Sequence, residues 1–579
     1  MILQGLKDYY DRLQTEGIAD VATEGFQKQA IPFVVVVDHE GRFLGLTDTR
    51  SGDGRTRVAR YFTVPQAVKK TSGVAANLLW DVPGYVFGRP RPDPKKDPAR
   101  LVERAVEQKR RFIAVIREKL ALVLEDAGVS AVLRLLERGD FGAVFEHPFW
   151  SEIEQSGANL GFQLEGDTCL VCERPAVVAA LRSAGMTPGS GRQACLVTGE
   201  PDESARLHTA IKGVYGAQTS GANIVSFNLP AFLSFGKQQS FNAPVGKRAE
   251  FAYTTALNHL LSKGAGRRLQ VGDASTVFWA EKKHEIEGVF ADLFGEPPKG
   301  EPEQDYRQLL ATFRAPEAGV PPQLDPKTRF FVLGLAPNAA RIAVRFWYAG
   351  SVGEVARSIG QHFEDIEMVR APHHPAHLSL FRLLVSTAAL GKAENIPANL
   401  AGEFMRAILA GTPYPQAVLG TAIRRCRAER EITYPRASLI KAILARNSRY
   451  YKQAEKEVGM SLDTTIGNVG YRLGRLFATL EKIQEEASPG INATIRDRFY
   501  GAASATPVAA FPHLMKLKNH HLAKLENRGR VVNFERTIGE IMEELTAFPA
   551  HLSLPDQGRF AVGYYHQRQA FFTSSKKEQ

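Results

Sequence analysis

Positions 226 to 244 read SFNLPAFLSFGKQQSFNAP, and Lys237 is the only charged side chain in that run. Side-chain amides carry a donor and an acceptor side by side, the pattern that matches base edges, and a serine hydroxyl serves either way. The residues that suit such reading are Asn223, just upstream, and Ser234, Gln238, Gln239, Ser240 and Asn242, with Lys237 placed to hold a phosphate. Gly221, Gly236 and Gly246, with Pro230 and Pro244, break the run into turns. Phe227, Phe232, Phe235 and Phe241 supply anchors or stacking faces. The same composition also suits a packed loop whose amides satisfy its own backbone.

A second constellation is KKTSGVAANLLWD at 69 to 81. Lys69 and Lys70 beside Thr71 and Ser72, followed by Asn77, suit phosphate contacts next to a base contact. The alternative is a solvated turn leading into a helix capped by Ser72. A third is cationic. Lys516, His520, Lys524 and Arg528 recur every four residues and are expected to share one helix face. Arg424, Arg425, Arg427 and Arg430 cluster, and Arg436, Lys441, Arg446 and Arg449 follow. Evenly spaced cations on helices suit a strand of phosphates tracked without sequence preference, or a plain solvated face. In LAPNAARIAVRFW (335 to 347), Asn338 reads as a cap, and Arg341 and Arg345 as cations one turn apart.

Motifs for enzyme chemistry are missing. No GxxxxGK[ST] loop, HExxH or GxSxG occurs. His373, His374 and His377 crowd together in APHHPAH, where Pro375 spoils a helical pair of ligands, so a loop or helix start is expected. Cys169 and Cys172 form a CxxC with Cys195 and His208 downstream, but TCLVCERP alternates as a strand does and the later spacing fits no common zinc finger. We therefore expect no catalytic residue, no metal and no cofactor. A nuclease with an unrecognised site around the three histidines, and an RNA-binding assembly scaffold, remain as alternative readings.

These residues must be positioned by a chain of 579 residues, 44% hydrophobic and 23% charged, enough for two or more domains. Net charge is +11 and the pI about 9.3, a moderate excess that suits a polyanionic partner. The start MILQGLKDYYDRL lacks the pattern of a signal peptide, no apolar run is long enough to span a membrane, and four cysteines fit a reducing cytoplasm. IPFVVVVDHEGRFLGL reads as a hairpin with its turn at 38 to 41, and TVFWAE and RFFVLGLAP as further strands. Helices are expected over 98 to 127 and 250 to 263, with proline-rich linkers at 88 to 98 and 296 to 305. Beyond 380 the period turns helical. Ile466, Val469, Leu473, Leu476, Leu480 and Ile483 form one stripe, and the last 120 residues read as about four helices. The expected fold is α+β: a mixed α/β domain over 1–375, followed by a helical bundle over 376–579.

Long motifs in order carry a resemblance: KGVYGAQTSGANIVSFNLPAFLSFGKQQSFNAPVGKRAEFAYTTALNHLL, TSGVAANLLWDVPGYVFG, CLVTGE, LGLAPNAARIAVRFW and GYYHQRQAFF. Together they closely resemble the large subunit of the type I-C CRISPR Cascade complex, over essentially the whole chain. The resemblance implies a non-catalytic subunit of an RNA-guided antiviral complex in the cytoplasm of a prokaryote. Its role would be to recognise the protospacer-adjacent motif in duplex DNA, aid opening and R-loop formation, and hold the displaced strand. Implied partners are target DNA, guide RNA, backbone and guide-processing subunits, a small subunit made from the same gene, and a helicase-nuclease recruited afterwards. Guide pairing would read the sequence while protein reads only the short motif. Lys456-Glu457-Val458-Gly459-Met460 can be encoded as AAG GAG GTG GGN ATG, which holds AGGAGG ahead of a start codon. An internal start at Met460, just before a helix expected near Ser461, would give a product spanning 460–579.

Overall fold

IPFVVVVDHEGRFLGL folds as the expected hairpin. In the computed structural model, which describes residues 1–18, 21–52, 57–68, 70, 73–184, 192–227, 229–262, 264–294, 325–376 and 378–574, Asp38 closes the turn. Its Oδ1 accepts the Arg42 amide at 2.7 Å. Gly41 takes a φ of 75°, and a Cβ there would meet the Ala131 carbonyl at 2.7 Å, so only glycine fits.

The chain divides into two compact units, Met1–Thr209 with Val225–His259, and Ala210–Ile224 with Leu260–Gln579. In the first, α1 (Ile2–Thr15) precedes β1 (Phe26–Ala30), β2 (Phe33–Val37), β3 (Phe43–Asp48), β4 (Tyr61–Pro65), β5 (Trp80–Asp81), α2 (Pro98–Lys119), α3 (Ala127–Arg138), β6 (Leu160–Leu164) and α4 (Lys247–Leu261), whose last residues belong to the second unit. β1 and β4 pair antiparallel. A four-stranded sheet runs β3-β2-β6-β5, with β2 and β6 parallel. The central β2 is apolar on both faces because Phe112, Ile116, Val132 and Leu136 of α2 and α3 join the same core. The helix expected to reach 127 stops at Lys119. Asp126 then caps α3, its Oδ1 accepting from Gly128 and Val129, so one long run becomes two helices.

The second unit opens with an antiparallel meander, β7 (Arg268–Val271), β8 (Ala274–Ala280), β9 (Arg329–Asn338) and β10 (Arg341–Ser351). LAPNAARIAVRFW is thus the β9–β10 hairpin. Asn338 pairs across it with Arg341 and caps no helix, as the β-branched and aromatic residues that follow would favour. Among the described residues ten α-helices follow: α5 (Val352–Ile366), α6 (Leu380–Thr387), α7 (Ala398–Ala410), α8 (Gln416–Glu429), α9 (Tyr434–Tyr450), α10 (Val469–Ala487), α11 (Ile495–Ala505), α12 (Pro507–Leu522), α13 (Arg528–Met542) and α14 (Leu554–Ser574). One continuous core runs from Leu269 to Tyr565, so the boundary expected at 375 falls inside this unit. The helix expected from Ser461 begins at Val469, where Asn468 Oδ1 accepts the Tyr471 amide at 3.2 Å. α10 and α14 cross at glycines: a Cβ on Gly474 would lie 2.0 Å from the Phe560 carbonyl, and one on Gly563 2.2 Å from that of Tyr471. The whole is an α+β fold.

Candidate nucleic-acid interface

The amide-rich run builds a loop pinned from within. Pro230 starts a single 3₁₀ turn, and the Lys237 amide bonds the Ser234 carbonyl at 2.9 Å. The two central residues of that turn, Phe235 and Gly236, have φ of 51° and 68°, the signature of a type I′ turn. Asn242 ties it down: its Oδ1 accepts the Ser234 amide at 2.8 Å, and its Nδ2 donates to the carbonyls of Lys237 (3.1 Å) and Gln239 (2.8 Å). Gln239 accepts from Arg206, and Ser240 is buried. Asn242 is therefore structural, its amide spent on the loop's own backbone, and burial takes Ser240 away from a ligand, while Gln239 has its carbonyl oxygen engaged by Arg206.

What the loop presents is different. Phe235 is 97% exposed, and Ser234, Lys237 and Gln238 also reach solvent. A phenylalanine in the left-handed region costs about 1–2 kcal/mol, so the frame holds this ring outward against its own preference. Asn223 belongs to the second unit, where its backbone bridges to Arg341 and its carbonyl accepts the Ile342 amide at 3.0 Å.

In the segment around 69 to 81, Lys70 Nζ lies 2.6 and 2.7 Å from the Asp81 carboxylate oxygens and 3.8 Å from the centre of the Tyr85 ring. Asp81 is 1% exposed and also accepts the amides of Asn77 and Val82. Burial pushes its pKa up against the pull of Lys70. Asn77 is buried, and its Oδ1 accepts the Val68 amide at 3.1 Å. Lys70 and Asn77 thus brace their own loop, and among the described residues no helix follows before Pro83. Lys69, Thr71 and Ser72 lie outside the described residues.

The cations of the second unit split into two groups. Arg424 and Arg427 are exposed on α8, and Arg425 is half-buried with Glu429 at 3.8 Å. Lys441 and Arg446 are buried, which removes them from any displaced-strand surface. Lys441 donates to the carbonyls of Glu364 and Glu367 at the end of α5, a natural place for a cation. Arg446 Nε donates to Asp365 at 2.9 Å. Lys516 and His520 are exposed on α12, but that helix ends at Leu522. Lys524 lies in the turn beyond it and Arg528 opens α13, capped by Asn527, so the even spacing crosses a break and no single face carries all four.

The sequence reading missed one feature: Tyr450 and Tyr451, 54% and 64% exposed at the end of α9, with ring centroids 5.2 Å apart beside exposed Lys452. Two adjacent aromatics within the basic stretch RNSRYYK were the available signal.

Residues 6–572 match the CRISPR-associated protein family Cas_Csd1. The chain belongs to that family. No curated protein matches it. Along this Cas_Csd1 chain, no helix among the described residues is long and apolar enough to cross a membrane. Cys169, Cys172, Cys195 and Cys426 are free thiols, and burial pushes that of Cys172 up. TCLVCERP forms a 3₁₀ turn at Val171–Glu173 in place of the expected strand, because the Glu173 carboxylate folds back to accept the Leu170 amide. Cys195 Sγ accepts the amides of Val197 and Gly246. Among the described residues no three His, Cys, Asp or Glu side chains gather to hold a metal. His373 and His374 stand ring to ring in a loop, with His374 stacked on Tyr434, while His377 lies outside the described residues.

Proposed function

We propose that this Cas_Csd1 protein is the non-catalytic large subunit of a type I-C RNA-guided surveillance complex. It reads the short motif beside the target in duplex DNA, helps to part the strands and holds the displaced one. Guide RNA, the backbone and guide-processing subunits, and a helicase-nuclease that arrives after strand opening complete the assembly. The observation that carries this reading is the tip at 234 to 238, where a strained, solvent-facing Phe235 stands between Ser234 and the pair Lys237 and Gln238. An apolar ring suits a wedge between base steps. The amide beside it suits a base edge, and the ammonium a phosphate. Tyr450 and Tyr451 with Lys452, and Arg424 with Arg427, supply stacking and charge for a single strand.

The same proposal includes a short product starting at Met460, which would carry α10 to α14. It would lack Glu457, whose carboxylate holds Arg559 at 3.0 and 3.1 Å. It would also uncover Gly558, which packs on Ile440 and Leu444 of α9. Such a product needs a partner on that face.

The test is target binding by the assembled complex, with and without the correct motif, comparing wild type with Phe235→Ala plus Gln238→Ala. We expect discrimination to fall by about tenfold or more, at 1–3 kcal/mol per base contact, with assembly intact. An unchanged preference for the motif would make the loop structural.

A further inference from the structure

Residues 88 to 119 hold eleven lysines and arginines against five aspartates and glutamates, a surplus of six where the whole chain has eleven. The proline-rich stretch before α2 has the composition of a linker, but it is fixed to its unit. Arg89 lies 4.7 Å over the Phe145 ring, the Arg91 stem packs on Gly157, and Gly88 rests against Ala105 and Lys109 of α2. Both acids of the stretch are turned to local work. Asp93 accepts the Lys95 amide at 3.0 Å and pairs with Lys96 at 3.2 Å, and Asp97 caps α2 by accepting the Ala99 amide at 3.0 Å. Further along, Arg111 is engaged by Glu118 and Arg117 by Glu137. Lys95, Arg100, Arg104 and Arg110 are exposed and make no ion pair among the described residues. On an α-helix at 100° per residue, Arg100, Arg104 and Arg110 fall within about 120° of one another.

We infer that this surface, the 88–97 stretch with the outer face of α2, is a second nucleic-acid site that grips the phosphate backbone of duplex DNA without reading its sequence. Charge complementarity selects a polyphosphate. The choice of duplex over single strand comes from what the face lacks. Its one aromatic, Phe112, is fully buried, so no ring is offered for base stacking, which single-strand sites use. Fixed cations that track a backbone suit a duplex held in place while another loop inspects it. This inference rests on the reading of the chain as a duplex-DNA-binding subunit.

The experiment measures binding of the full-length chain to a short duplex that lacks both motif and guide complementarity, across salt. The variant carries Lys95→Gln, Arg100→Gln, Arg104→Gln and Arg110→Gln, all at exposed positions, and its thermal melt should match wild type. We expect the slope of log K against log salt to become shallower by about 3.6, at roughly 0.9 for each of the four phosphates that are no longer neutralised. Affinity near 0.1 M salt should fall about tenfold or more. Glu103→Gln with Glu107→Gln should move binding the opposite way. A wild type that binds duplex and a variant that keeps its slope would overturn this site alone. An equal loss for single-stranded DNA would overturn the assignment to duplex, and a loss confined to joining the guide-RNA complex would make the face a subunit contact. A wild type with no affinity for duplex would sink the functional reading with it.

Discussion

Arg427 and Arg446 lie on consecutive helices, α8 and α9, and do opposite things. Arg427 stands in solvent on α8. Arg446 is 1% exposed, bonds Asp365 and the carbonyls of Ala407 and Thr412, and lies 4.2 Å over the Tyr414 ring. Arg449 adds a second, bidentate grip on the same carboxylate. One guanidinium is available to a ligand, while the other is a bolt through α5, α7 and α9. Charge alone does not separate them; the direction each helix turns its face does.

The largest test of that contrast is Arg446→Ala. Removing one partner of a buried pair costs about 3–5 kcal/mol. With Arg449 still holding Asp365 the loss is expected near the lower end, from two carbonyls left without their donor and a carboxylate left with one guanidinium. Urea melts of wild type and variant read it directly. A loss under about 1 kcal/mol would mean that Arg446 is no bolt and that burial fails as the dividing line.

His566 sharpens the same division with pH. It is fully buried and shares a 3.0 Å hydrogen bond with the Tyr471 hydroxyl. Burial first, and the charge of Lys441 second, push its pKa down to about 4. An unfolded chain protonates the ring near pH 6.5. Between those values the unfolded state binds more protons, so stability rises with pH and is lost on acidification, by roughly 3 kcal/mol from pH 7 to 4. His566→Gln should lose less across that window. Equal losses in both proteins would place the acid sensitivity elsewhere.

Much of this was legible beforehand, for definable reasons. The β2–β3 hairpin declared itself because a β-branched run, a turn from Asp38 to Gly41 and a second apolar run are all local signals. The α10 stripe did so because its apolar residues keep one period. The α+β class and the family followed from similar runs along the chain. What stayed hidden depends on partners distant in sequence. Lys70 looked like a phosphate contact until Asp81 stood against it, and Asn242 looked like a base reader until its three bonds closed the loop on itself. The four-residue spacing of Lys516, His520, Lys524 and Arg528 implied a single face, but a capping asparagine starts a new helix inside it. A side chain's type announces what it can bond, and only the fold decides whether that capacity is already used.

The smallest expected effect on stability tests the exposed side of the comparison. Arg424→Gln with Arg427→Gln removes two surface charges from α8, and surface substitutions of this kind stay within about 0.5 kcal/mol. Single-stranded DNA binding should nevertheless weaken, with the salt slope shallower by about 1.4, at roughly 0.7 per phosphate on a single strand. Stability and slope then separate for this pair, whereas Arg446→Ala loses stability first. If the Arg424/Arg427 variant instead melts several kcal/mol early, these arginines are structural too, and exposure does not mark the cations of this bundle that are free to meet a strand.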